Sequence, residues 1–143
     1  MRPIKYRAWD KTKKKMTLVA DISFGDDGSA RTTVFQPAPK DTYYYGLVEG
    51  ESGTLMQFTG LFDKHGREVY EDDIVRDNAG DIYAIRWDRH LARFAFYSHD
   101  ASKKGSNKEW RSAEETITDF DMKARFEIIG NVHENPGLLE VGQ

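Results

Sequence analysis

Short β-prone runs separated by turn-forming clusters fill most of this chain, and that punctuation limits the fold more than any other sequence feature. Ile4-Lys5-Tyr6-Arg7-Ala8-Trp9 alternates apolar and basic residues, and Met16-Thr17-Leu18-Val19 follows after a short polar turn, which predicts a first hairpin. Asp21-Ile22-Ser23-Phe24 and Thr32-Thr33-Val34-Phe35 flank Gly25-Asp26-Asp27-Gly28-Ser29, whose Asp-Gly step supplies the positive φ of a tight turn, and predict a second. Pro37 and Pro39 cannot donate ladder hydrogen bonds and Gly46, Gly50 and Gly53 follow, so residues 36–54 are expected to form a loop-rich joint.

Beyond that joint, Leu55-Met56-Gln57-Phe58-Thr59 and Arg67-Glu68-Val69-Tyr70 flank the turn Asp63-Lys64-His65-Gly66, a third hairpin. Asp73-Ile74-Val75-Arg76, Ile82 to Trp87 and Phe94 to Tyr97 read as a meander. Ser102 to Lys108 reads as a solvated loop, and Ser112-Ala113-Glu114-Glu115 has the capping-box pattern that predicts the start of a short helix. Phe126-Glu127-Ile128-Ile129 is the last strand; after Asn135-Pro136-Gly137 the apolar Leu138-Leu139 is expected to fold back and the C-terminus to fray. The fold class is mainly β, antiparallel hairpins with at most a short helix, as small barrels or curled sheets. Two parts are expected: a β-hairpin region with its joint at 1–54, and a second β region at 55–143.

Composition narrows the function classes. With 143 residues, 38% of them hydrophobic and 13% aromatic, the chain can build one ordinary core or two small ones. It has no cysteine, which excludes disulfides, thiol nucleophiles and thiolate zinc sites and fits a reducing bacterial or viral cytosol. No apolar run reaches the ~18 residues of a membrane span, and Met1-Arg2-Pro3-Ile4-Lys5 lacks a signal peptide's apolar stretch, so a cytoplasmic protein is expected. The net charge of −3 argues against a surface that grips nucleic acid all round. That charge is uneven: Arg2, Lys5, Arg7, Lys11, Lys13, Lys14 and Lys15 face only Asp10 within the first fifteen residues, while acids gather at Glu68, Glu71, Asp72, Asp73, Asp77 and Asp81.

Three blocks carry a resemblance to a known family. Ile4-Lys5-Tyr6-Arg7-Ala8-Trp9-Asp10, followed by a lysine-rich turn and Met16, opens the chain. Leu55 to Val75 contains Met56-Gln57-Phe58-Thr59-Gly60-Leu61, Asp63-Lys64-His65-Gly66 and Tyr70-Glu71-Asp72-Asp73-Ile74-Val75, and Ile129-Gly130-Asn131-Val132-His133-Glu134-Asn135-Pro136 closes it. In this order they resemble the YopX family of small proteins encoded mostly by phages and prophages. The resemblance implies phage origin, a β-rich fold with a barrel-like C-terminal half, SH3-like or another small barrel, and no catalytic residues. One departure is Asp72, where the family pattern has glycine; if that position takes positive φ, an aspartate must tolerate it.

Each candidate site has a plain alternative. Glu71, Asp72, Asp73, Asp77 and Asp81 could offer oxygens to a hard cation, but neighbours on a strand point to opposite faces, so turn chemistry is the expected role. Asp121-Met122-Lys123 resembles the carboxylate-lysine element of a metal-dependent nuclease, a spacing that chance supplies readily in a chain that is 31% charged. His65, His90, His99 and His133 lack metal-motif spacing, and neither a Gly-x-Ser-x-Gly elbow nor a phosphate-binding glycine loop occurs, so no metal or cofactor is expected. Arg7, Lys13, Lys14 and Lys15, with Tyr6 and Trp9 beside them, could contact nucleic acid. Tyr43, Tyr44 and Tyr45, in the expected loop, are candidates for a protein contact, because exposed tyrosine is enriched at interfaces. The reading is a non-enzymatic accessory protein that acts by binding a protein partner or itself. A nucleic-acid module and a nuclease are its alternatives.

Overall fold

A computed structural model describes residues 3–37, 42–99, 110–112 and 118–141. The chain forms two compact units, Pro3–Gln57 and the residues from Phe58 onward. The division falls within β5 (Gly53–Phe62).

In the first unit β1 (Tyr6–Asp10), β2 (Lys15–Phe24), β3 (Ala30–Pro37) and β4 (Thr42–Val48) join the start of β5 in the antiparallel order β4-β3-β2-β1-β5. The first two predicted hairpins are present, with Arg7 opposite Leu18, Trp9 opposite Met16 and Ile22 opposite Thr32. β2 runs through both as one strand, interrupted by a register shift between Val19 and Asp21. Alternation sends Ala8, Val34 and Leu47 to a buried inner face, with Val19 and Tyr45 packed against them.

The expected loop at 36–54 is corrected. β4 occupies its centre, paired with β3 from Pro37↔Thr42 to Arg31↔Val48. Pro37 ends a strand, where a missing donor costs little, and the tyrosines favour extended backbone, so reading the prolines and glycines as breakers overweighted them. Only residues 49–52 separate β4, at one end of the order, from β5 at the other. An isolated bridge joins Glu49 to Gly53, and the Leu55 N–H donates to Glu49 Oε2 at 2.7 Å, so the sheet curls strongly. Gly53 is required there: a Cβ would lie 2.9 Å from Leu47.

The second unit holds the rest of β5, β6 (Glu68–Tyr70), β7 (Asp73–Arg76), β8 (Ile82–Asp88), β9 (Arg93–His99), β10 (Trp110–Ser112), α1 (Asp119–Arg125), β11 (Glu127–Asn131) and the single turn α2 (Leu138–Val141). Its five-stranded antiparallel sheet has the order β10-β9-β8-β7-β11. The third hairpin, the meander and the last strand are present as predicted. Val69, Val75, Ile85, Phe96, Met122 and Phe126 form the core, and Phe126 packs its ring against Tyr83 and Phe96. The ends of this sheet, β10 and β11, do not pair with each other, so among the described residues no closed barrel forms.

The described helix is α1, Asp119–Arg125. Thr118 is its N-cap, its hydroxyl accepting from the Asp121 N–H while Asp121 Oδ2 accepts from the Thr118 N–H and Oγ1. Glu114 and Glu115, and the predicted loop from Ser102 to Lys108, lie outside the described residues. No helix among the described residues is long and apolar enough to cross a membrane.

Candidate functional site

The sequence blocks act first as architecture. Asp10, which ends the opening block, is 1% exposed. Its Oδ1 accepts the backbone N–H groups of Thr12 and Lys13, both at 2.9 Å, and its Oδ2 accepts the Tyr45 hydroxyl at 2.6 Å. Burial alone would raise the carboxyl's pKa, but these donors outweigh it and hold the group below the usual carboxylate range. One side chain thus fixes the β1–β2 turn and anchors β4.

Asp63 does the same in the second unit. Also 1% exposed, it accepts the N–H groups of His65 and Arg67 on Oδ1 and that of Ile128 on Oδ2, where Arg67 Nε also donates at 3.0 Å. Arg67 Nη2 continues to the Ile128 carbonyl, so the β5–β6 turn is tied to β11. Here too burial works against ionisation, and the Ile128, Arg67 and His65 amides overcome it and lower the pKa.

The closing block ties itself to the middle one. Asn131 Oδ1 accepts the N–H groups of His133 and Glu134, and its Nδ2 donates to Glu134 Oε2. Gly130 allows the Asn135 side chain to approach so closely that a Cβ would collide with it. Asp72 does take the left-handed conformation, φ 66°. Its N–H donates to the Ile85 carbonyl, its carbonyl accepts the Val132 N–H, and its Oδ2 lies 2.8 Å from His133 Nε2. A glycine would keep the two backbone bonds at lower conformational cost and lose the third. Asp72→Gly is therefore expected to change stability by less than about 1 kcal/mol, because relief of backbone strain offsets the lost side-chain bond. His133→Ala should cost about 1 kcal/mol in the parent and less beside Asp72→Gly. A denaturation double-mutant cycle showing no coupling would contradict this assignment.

Other acids are used in turns. Asp77 Oδ1 accepts from Ala79 and Asp81, Asp88 Oδ1 from His90 and Leu91, and Asp73 Oδ2 from Tyr70, each from the backbone N–H. Asp121 sits in the helix cap and Lys123 Nζ bonds Asp119 at 2.8 Å, so both nuclease candidates serve α1. Among the described residues no three His, Asp or Glu side chains gather as metal ligands. His65 and Arg76 both bond Glu127, and together with Lys64 they hold its carboxyl below the ordinary range, Arg76 contributing most. His90 lies in the β8–β9 turn; the side chain of His99 is outside the described set.

Four of the basic residues lie in and beside the β1–β2 turn. Lys13 lies with its ammonium 3.9 Å from the Tyr45 ring centroid, and Lys11 donates to the Gly50 carbonyl. Lys14 takes φ 52° in the β1–β2 turn, and Lys15 pairs with Asp10 at the start of β2. Arg7 stands three residues up β1 from Asp10, roughly 10 Å along the strand.

The tyrosines separate as well. They lie in β4, where Tyr45 points inward to Asp10, while Tyr44 points outward and is 60% exposed. The Tyr43 side chain lies outside the described set. On Tyr44's face, the register sets Met56 of β5 beside Arg7 of β1, and Arg7 beside Leu18 of β2. Met56 is fully buried and Leu18 is 71% exposed, so the face is covered at its β5 end and open towards β4. Gly46, two residues beyond Tyr44 on that face, is open above its Cα. Sequence reasoning did not mark Leu18, because alternation alone does not tell which face of a curled sheet meets the core. Trp87, Leu91 and Phe120 are exposed in the second unit.

Comparison with known proteins identifies relatives. A family model described as YopX protein matches residues 5–140. The solved structure of protein EF1440 from Enterococcus faecalis is 24% identical, with a TM-score of 0.61, covering 97% of this chain and 99% of that one. Protein yopX from Bacillus subtilis is 17% identical, with a TM-score of 0.54 and the same coverage. At these identities the likeness concerns the fold. No curated protein sequence matches the chain.

Proposed function

The chain belongs to the YopX family, and from that premise we propose that it is a binding protein without catalytic machinery, acting through the outer face of its N-terminal sheet on another protein chain. Leu18 and Tyr44 carry the reading: two large side chains, 71% and 60% exposed, stand on one face of a well-paired sheet. The motif aspartates, which would be the natural centre of an active site, are engaged in turns and strand junctions. Dispersal of Arg7 from the lysine turn, and engagement of Lys11 and Lys13 within the fold, weigh against nucleic acid as the ligand. On this reading it is a phage or prophage accessory protein at work in the bacterial cytosol, which the family resemblance supports.

Affinity capture from bacterial extract tests the reading. Protein held by the parent should be lost with Leu18→Arg, retained with Lys13→Ser and Lys14→Ser together, and unaffected by nuclease or moderate salt. Capture of nucleic acid that salt releases and the lysine changes abolish would overturn it.

A further inference from the structure

Independently of the N-terminal face, we propose that the tip of the β8–β9 hairpin binds single-stranded nucleic acid, with Trp87 stacking on an unpaired base and Arg89 meeting a phosphate. The tip is the turn Arg89-His90-Leu91-Ala92, and Trp87 and Phe94 stand opposite each other just inside it. Trp87 is 48% and Leu91 55% exposed, and Arg89 and His90 are exposed with them.

The tryptophan is held in place before any ligand arrives. Its ring meets that of Phe94 edge to face, with 5.1 Å between centroids and 76° between planes, and Phe94 packs on the core of the second unit. A ring fixed in this way loses little freedom on binding.

Charge at the tip favours an anion. Residues 86–93 carry Arg86, Arg89 and Arg93 against one acid, Asp88, in a chain whose net charge is −3. Asp88 is 7% exposed and turned into the fold: its Oδ1 accepts the His90 and Leu91 amides, and the Tyr97 hydroxyl bonds the same carboxylate. Arg86 and Arg93, on the flanking strands, make contacts within the fold, whereas among the described residues none bonds the Arg89 guanidinium.

A base and a phosphate match this pair of side chains. A flat apolar ring takes the face of any base, and a guanidinium meets phosphate with parallel N–H donors. Stacking needs a base outside the duplex, which selects single strands. An anionic membrane fits less well, because Arg89 and His90 stand between Trp87 and Leu91 and leave little apolar area to insert. An acidic peptide would answer the arginine and not the ring.

Anisotropy of a labelled oligothymidylate, titrated with the full chain at low and moderate salt, tests this. The parent should bind it, release it as salt rises, and hold a duplex of the same length about tenfold more weakly. Trp87→Leu should weaken binding about tenfold and Arg89→Ser several-fold, with circular dichroism unchanged. Arg89→Ser alters an exposed turn residue, so it reads the contact even where Trp87→Leu disturbs the hairpin. Lys13→Ser with Lys14→Ser, and separately Leu18→Arg, should leave this affinity unchanged, so different variants report on this site and on the N-terminal face. A parent that does not bind, binding that both hairpin variants retain in full, a duplex held as tightly as the single strand, or vesicles of anionic lipid bound in place of the oligonucleotide would overturn the proposal.

Discussion

Replacing Asp63 by alanine is expected to destabilise the protein by about 3–5 kcal/mol, read from urea or thermal unfolding, because three backbone amides and Arg67 lose a charged acceptor in a buried site. Asp63→Asn tests the same point with little change in volume. Its amide nitrogen would face the Ile128 N–H or those of His65 and Arg67, donor against donor, so it should recover less than half of the loss. The pH dependence has a definite sign. The folded carboxyl is held below its ordinary value near 3.9, so its contribution is complete above that pH and lost as pH falls through the lowered value. The parent should lose stability steeply below about pH 4, and the alanine variant less steeply. A cost under about 1 kcal/mol would mean that Asp63 does not hold the β5–β6 turn to β11.

The second large effect is expected at Asp10. Its alanine variant should lose about 2–4 kcal/mol, since the Thr12 and Lys13 amides and the Tyr45 hydroxyl all lose their acceptor. Tyr45→Phe removes one of the three bonds and should cost about 1–2 kcal/mol. Combining the two changes should cost less than the sum of the single effects, because both remove the same bond. Strict additivity in that cycle would contradict the link from the β1–β2 turn to β4. Asp10 shares the sign of Asp63: its donors lower the pKa despite burial, so acid should weaken this link too.

Both residues were on the page in the sequence blocks, but their role was not. An aspartate that opens a tight turn commonly accepts the amide two residues on, and Asp10, Asp63, Asp77 and Asp88 all do so, adding the amide three residues on at Asp10 and Asp88 and four on at Asp63 and Asp77. The long-range partners, Tyr45 for Asp10 and Ile128 for Asp63, depend on how strands far apart in sequence meet, which no local pattern encodes. Most strands were legible because alternation and turn residues act over a few positions. β4 was missed because Pro37 and Gly46 look like breakers until pairing shows one at a strand end and the other at a position open above its Cα. The proposed contact face was half legible. Tyr44 was named, but Leu18 and the separation of Tyr45 to the inner face follow only from register.

Hydrogen exchange measured residue by residue, with and without the protein captured from bacterial extract, tests the proposed contact face most directly. If the outer face of the N-terminal sheet makes the contact, amides of Lys15–Phe24 and Thr42–Val48 should exchange more slowly with the captured protein bound, while those around Trp87, Leu91 and Phe120 stay unchanged. Slowing confined to the second unit, or no difference at any amide, would contradict the account.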